Sequence, residues 1–239
     1  MVRDYNGRTF VAFLDILGFR NMVKNNISLA AQTLDKFYEI MYDECLNLTR
    51  RSATTHSSGM RDSIVLPEVN MIVASDCAVI FARNTESGEN ISNDLECISA
   101  FIRTVNSRLI RSDSSPSILT TCSIAYGQFI YEDRRESNYL RKNCFLGTPY
   151  MEAFSDNEKM KTEPGLCRLL RDNMPANNRI SIPFFIEKDG YYYFYWMLRD
   201  IGSLGGFLKD YEKARQAIGR TRYKQLKEVL QRYCNIVQQ

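Results

Sequence analysis

The feature that most restricts how this chain can fold is the apolar run at residues 9–17, Thr9-Phe10-Val11-Ala12-Phe13-Leu14-Asp15-Ile16-Leu17, which Gly18 closes. A run with almost no polar alternation predicts a strand covered on both faces. Yet the run carries an aspartate. A second aspartate stands in similar company in Met71-Ile72-Val73-Ala74-Ser75-Asp76-Cys77-Ala78-Val79-Ile80-Phe81. A carboxylate in apolar surroundings is costly unless it is paired or holds a cation. Two in like settings point to a carboxylate pair, Asp15 and Asp76, that binds divalent cations for phosphate chemistry. Either one taken alone reads better as a turn or helix cap.

Periodicity orders the rest. Leu29, Leu34, Phe37, Ile40, Met41 and Leu48 fit a helix from about residue 28 to 48, and residues 49–67 read as a polar loop. Residues 71–81 form a strand pair turning at Ser75-Asp76. A second helix spans 90–109. A strand follows at 118–131, with Gly127 marking a bulge or a close backbone approach. Residues 144–147 end a short strand, and Thr148-Pro149 opens a helix to about 161, with proline near its first position. Residues 166–170 extend helically, and Lys188-Asp189-Gly190 joins a hairpin. A long amphipathic helix covers 211–237. The order β-α-β-β-α-β-β-α predicts an α+β fold: a ferredoxin-like antiparallel sheet with helices packed on one face. All 239 residues form a single domain, and 180–239 are a hairpin-plus-helix extension on the same core.

Composition removes several chemistries. The sole histidine, His56, sits in a polar stretch, which leaves no histidine-activated nucleophile and no His-rich metal site. The seven cysteines include no Cys-x-x-Cys spacing, so reduced thiols packed as small hydrophobes are expected. The net charge of +3 is too small and dispersed to suggest nucleic acid. No apolar run approaches the ~20 residues needed to span a membrane. The polar start Met1-Val2-Arg3-Asp4-Tyr5 lacks the apolar segment of a secretory signal, so the expected location is the cytoplasm. Any reaction must therefore run on carboxylates, cations and backbone donors.

Leu17-Gly18-Phe19-Arg20 adds to the carboxylates. A strand, a glycine and then a helix leave N–H groups where a triphosphate could sit, with Arg20 as a cationic fork; the alternative is an ordinary turn. Tyr191-Tyr192-Tyr193-Phe194-Tyr195-Trp196 could stack on a base, but reads better as a strand with one aromatic face in the core.

Phe13-Leu14-Asp15-Ile16-Leu17-Gly18-Phe19 resembles the first metal motif of the class III nucleotidyl cyclases. Ser75-Asp76 before an apolar strand looks like that family's second metal hairpin, and Cys144-Phe145-Leu146-Gly147 like its base-pocket segment. With Gly127, Glu152-Ala153-Phe154 and a Tyr-rich tail, the chain is most similar to the short bacterial pyrimidine cyclases of the Pycsar anti-phage defence. The resemblance implies that Asp15, Asp76 and the main-chain oxygen of Ile16 hold two Mn²⁺ or Mg²⁺ ions. It places Phe13, Ile16, Leu17, Gly18, Phe19 and Arg20 about the triphosphate, and Ile72 and Cys144 at the base. It also implies that a ribose 3′-hydroxyl attacks the α-phosphorus, and that two head-to-tail copies form the site.

This sequence departs from the family's pattern in two places. At Ile72, purine cyclases carry a Lys or Glu that reads the base; an isoleucine offers a purine edge no hydrogen bond. The Asn and Arg of the later helix would fall at Met151 and Ser155, so the cation must come from Arg20 or from Arg134, Arg135, Arg141 and Lys142, unless catalysis is lost. Losing one such donor costs ~2.7–4 kcal/mol. The expected activity is a uridylate cyclase using UTP, or CTP, and signalling in anti-phage defence. The alternatives are an inactive nucleotide-binding cyclase-like domain that regulates a partner, and a dimeric scaffold.

Overall fold

A computed structural model describes residues 4–57, 68–83, 91–110, 118–135, 141–159, 167–172, 174, 185–194 and 196. The apolar run forms β1 (Tyr5–Ile16), and both of its faces are buried as expected. It pairs antiparallel on one side with β3 (Cys77–Arg83) and on the other with β4 (Thr120–Arg135). Outside β3 lies β2 (Glu68–Ala74). Outside β4 come β6 (Cys167–Leu170), β8 (Tyr191–Phe194) and β7 (Phe185–Lys188), while β5 (Arg141–Gly147) pairs with the far part of β4. The sheet is antiparallel except for the β4–β6 pair. This is the expected α+β class.

Alternate residues of β1 serve two cores, as a strand's period of two requires. Phe10, Ala12, Leu14 and Ile16 face the larger cluster. There they meet α1 (Phe19–Asn25), α2 (Ile27–Ser57) and α3 (Ile91–Ile110) through Met22, Phe37, Met41, Leu95, Ile98 and Ile102. Val11 and Phe13 face a smaller cluster with Val79, Phe81, Ala125, Phe129 and Ala153, the last from α4 (Thr148–Lys159). The helices therefore do not all share one face, because β1 is apolar on both sides and α4 is what covers the second.

Two further expectations change. The polar stretch after Leu48 is not loop at its start, because α2 runs on to Ser57. Helix elongation is cheap once a long amphipathic segment has nucleated. Residues 167–170 are a strand, since a run of four residues is too short to show a period of its own and the free edge of β4 takes it up. Gly127 marks a close approach: a Cβ there would lie 2.9 Å from Thr148 Oγ1 and 3.0 Å from Pro149 Cδ. The hairpin β7–β8 turns at Asp189 (φ 52°) and Gly190 (φ 81°), the positive pair that tight hairpins favour. Tyr193, Phe194 and Trp196 are buried, so the aromatic stretch serves the core. The expected helix at 211–237 and the loop at 58–67 lie outside the described residues. Among the described residues no helix is long and apolar enough to cross a membrane.

A buried ion pair locks α4 to the sheet. Arg168 gives Asp156 two hydrogen bonds (2.8 and 2.7 Å), and Ser123 Oγ donates a third at 2.6 Å. Removing one partner strands the other charge, so Arg168→Met should cost ~3–5 kcal/mol in urea unfolding, and adding Asp156→Leu should restore much of it. A second buried carboxyl, Asp94 in the first turn of α3, has an oxygen with no partner among the described residues. Burial pushes it up to about 6. Its protonated form is favoured by the fold, so its contribution to stability is present near pH 4 and lost as pH rises to 6. The stability gap between Asp94→Asn and the parent should move in the variant's favour by ~2–3 kcal/mol from pH 4 to pH 7.

Candidate active site

Asp15 is the penultimate residue of β1 and shares the face of Val11 and Phe13. Its register partners are Cys77 on β3 and Thr121 on β4. Asp76 sits in the two-residue turn that joins β2 to β3, where Ser75 takes a φ of 55° so that Ala74 can pair with Cys77. The Ile16 N–H donates to the Asp76 carbonyl at 2.9 Å, extending the β1–β3 ladder into the turn. The pairing thus brings together two aspartates 61 positions apart in the chain. Both side chains are half-buried.

Cys77 reports on both of them. Burial pushes its thiol up to about 11, and the Asp15 and Asp76 carboxylates add to the rise, so both fields reach one sulfur atom. The thiol donates to the Ala74 carbonyl at 3.0 Å. Sequence reading treated Cys77 only as a packed thiol; its place opposite Asp15 is a fact of register.

The strand-to-helix turn lies beside this corner. The Leu17 N–H donates to Leu119 O at 2.8 Å, and Gly18 caps α1 in the left-handed region (φ 81°). The Gly18 carbonyl accepts from Asn21 and Met22. Ile16, Leu17 and Phe19 point their side chains into the helix-covered core, so only their backbones can serve a ligand, while Arg20 is exposed. Phe13 is buried, with its ring edge-on to Phe154 at 5.2 Å. Ile72 is half-buried and follows Phe13 and Val79 in one cross-strand row.

Asp15, Ile16, Asp76 and residues 17–20 therefore meet at one end of the sheet, with Phe13 and Ile72 one row away. Cys144 does not join them, because it pairs with Glu132 towards the other end of β4. Met151 is 63% exposed and Ser155 is exposed on α4, so neither brings a cation or amide to the corner. The side chains of Arg134, Arg135, Arg141 and Lys142 lie outside what is described.

Among the described residues no three Asp, Glu, His or Cys side chains form a metal cluster. Two carboxylates beside main-chain oxygens fit a hard divalent cation that takes its remaining oxygens from phosphates and water.

No protein-family model and no curated relative matches this sequence. Solved structures do match in shape. A bacterial light-regulated adenylyl cyclase aligns with a TM-score of 0.55 at 13% identity, over 92% of this chain and 60% of that one. The guanylate cyclase domain of RhGC from Catenaria anguillulae, solved in complex with GTP, aligns with a TM-score of 0.50 at 11% identity, over 80% of this chain and 96% of that domain. The fold is that of a class III nucleotidyl cyclase catalytic domain. This chain spans 60% of the light-regulated cyclase it matches.

Because two carboxylates act on the Cys77 thiol, Asp15→Asn and Asp76→Asn should each lower its titration midpoint and speed its alkylation by iodoacetamide at pH 8. Peptide mapping of the alkylated protein would show it. A rate that rises for one variant only would mean that one carboxylate lies out of range.

Proposed function

We propose that this protein is a metal-dependent pyrimidine nucleotide cyclase that converts UTP, or CTP, to the 3′,5′-cyclic monophosphate and pyrophosphate. The observation that carries this reading is the meeting of Asp15 with the Asp76 turn through the β1–β3 pairing, on the fold of adenylyl and guanylyl cyclases.

Asp15, Asp76 and the main-chain oxygen of Ile16 would hold Mn²⁺ or Mg²⁺. When bound, the ions supply a lowered 3′-hydroxyl pKa and neutralise phosphate charge. The backbone of residues 16–20 turns about Gly18 beside the carboxylates and offers the triphosphate its bed. Arg20, exposed at that turn, is a cation that would follow the phosphates as charge moves onto the leaving pyrophosphate, with Arg134, Arg135, Arg141 and Lys142 as the other candidates. The 3′-oxygen bonds to the α-phosphorus as the bond to the β-phosphate's bridging oxygen breaks. The half-buried, apolar Ile72 favours a pyrimidine, since it gives no hydrogen bond to a purine edge. The place of Cys144, away from the carboxylates, and the exposed Leu146, Met151 and Phe154 suit a site completed by a second copy of the chain. A cytoplasmic role in anti-phage signalling belongs to the same reading.

A second reading has its own support. With Met151 and Ser155 where cyclases of this type carry an amide and an arginine, a domain that binds nucleotide without turning it over would look the same in those positions.

Incubation with each of the four NTPs and Mn²⁺, followed by mass analysis, separates the two. A cyclic UMP or cyclic CMP product is expected, and Asp15→Ala and Asp76→Ala should each reduce it on the order of 100-fold or more. Mn²⁺-dependent nucleotide binding with no cyclic product would select the inactive domain.

A further inference from the structure

One buried amide in the fold has no work to do. Asn157 on α4 is 1% exposed, and neither its side-chain nitrogen nor its oxygen meets a partner among the described residues. An unsatisfied buried polar group costs ~1–3 kcal/mol, and each one in a native fold calls for an explanation, a functional role or a bound water or ion among them.

Its position is settled by its neighbours. Thr148 and Pro149, at the start of α4, lie over Gly127, whose register partner on β1 is Thr9. Asp156, near its end, accepts from Ser123, whose partner is Phe13. The helix therefore travels along β1 from Thr9 towards Phe13, in the direction of Asp15. Phe154 already touches the Phe13 ring. Asn157 comes three residues after Phe154 and four after Ala153, so it continues the stripe of α4 that faces the sheet. The next β1 residue on that face after Phe13 is Asp15. Its neighbours Thr121 and Cys77 complete the row.

We infer that Asn157 is a positioning residue of the candidate active site, whose amide is completed only when metal and triphosphate fill the corner beside Asp15. An amide offers both a donor and an acceptor, so it can hold a carboxylate oxygen with one end and a bound water with the other. The unbound protein then carries the amide unsatisfied, and the bound protein does not. Part of the affinity for metal-nucleotide comes from relieving that cost. The inference rests on the nucleotide-binding reading above.

The test replaces the amide by an apolar side chain of the same branched shape. Asn157→Leu, with Asn157→Ala as a smaller second variant, is compared with the parent by thermal unfolding without ligand. Both are then titrated with Mn²⁺ and the α,β-methylene analogues of UTP and CTP, which cannot be cyclised. The expected result is a ligand-free melting temperature raised by roughly 2–8 °C in Asn157→Leu. Affinity for the Mn²⁺-analogue should fall about tenfold or more in both variants. A raised melting temperature with unchanged analogue affinity would overturn the inference, leaving Asn157 as a packing defect and the nucleotide reading intact. A lowered melting temperature in both variants would also overturn it, since the amide would then be satisfied within the fold. A parent protein that binds neither analogue would sink the nucleotide reading, and the inference with it.

Discussion

The antiparallel pairing of β1 with β3 is the constraint on which the rest depends. It sets Asp15 across from Cys77 and lets the Ile16 N–H close onto the Asp76 carbonyl. A slip of one residue would turn Asp15 into the helix-covered core and Phe10, Ala12 and Leu14 out of it, at a cost no other contact could offset. The hydrophobic alternation of β1 between two cores therefore holds the candidate site in register. Burial of apolar side chains positions the carboxylates.

Covering both faces of β1 has a second consequence. Among the described residues, the helices at the larger cluster are α1, α2 and α3, and the helix at the smaller one is α4. Asp15 lies on the α4 face, so the site is bounded by one short helix whose seat is set by Gly127 and by the Asp156–Arg168 pair. A helix held by a close backbone approach at one end and a buried charge pair at the other has little freedom to slide. One face of α4 is committed to the sheet, and the other carries the exposed Met151 and Phe154.

Much of this was legible in the residues. The continuous apolar run of β1, the helical spacing of α3, the turn at Ser75-Asp76, the Thr148-Pro149 helix start and the Asp189-Gly190 hairpin all follow from local rules. The extension of α2 to Ser57 was not legible, because the added turns are polar and owe their helicity to what precedes them. Nor was β6, whose four residues become a strand only because β4 has a free edge. Asn157 was invisible in the sequence, since nothing about an asparagine in a polar helix stretch says that it will be buried.

The sequence by itself determined that this chain builds a strand buried on both faces, and that two aspartates stand at the ends of apolar runs. Those properties are local: they depend on side-chain polarity and period along a few residues. The structure alone decided that the two aspartates share a corner with one thiol, that Cys144 lies elsewhere, and that α4 covers the face on which Asp15 sits. Such facts depend on the register between strands distant in the chain, and register is chosen by the total burial of both cores at once, a quantity that no single segment carries.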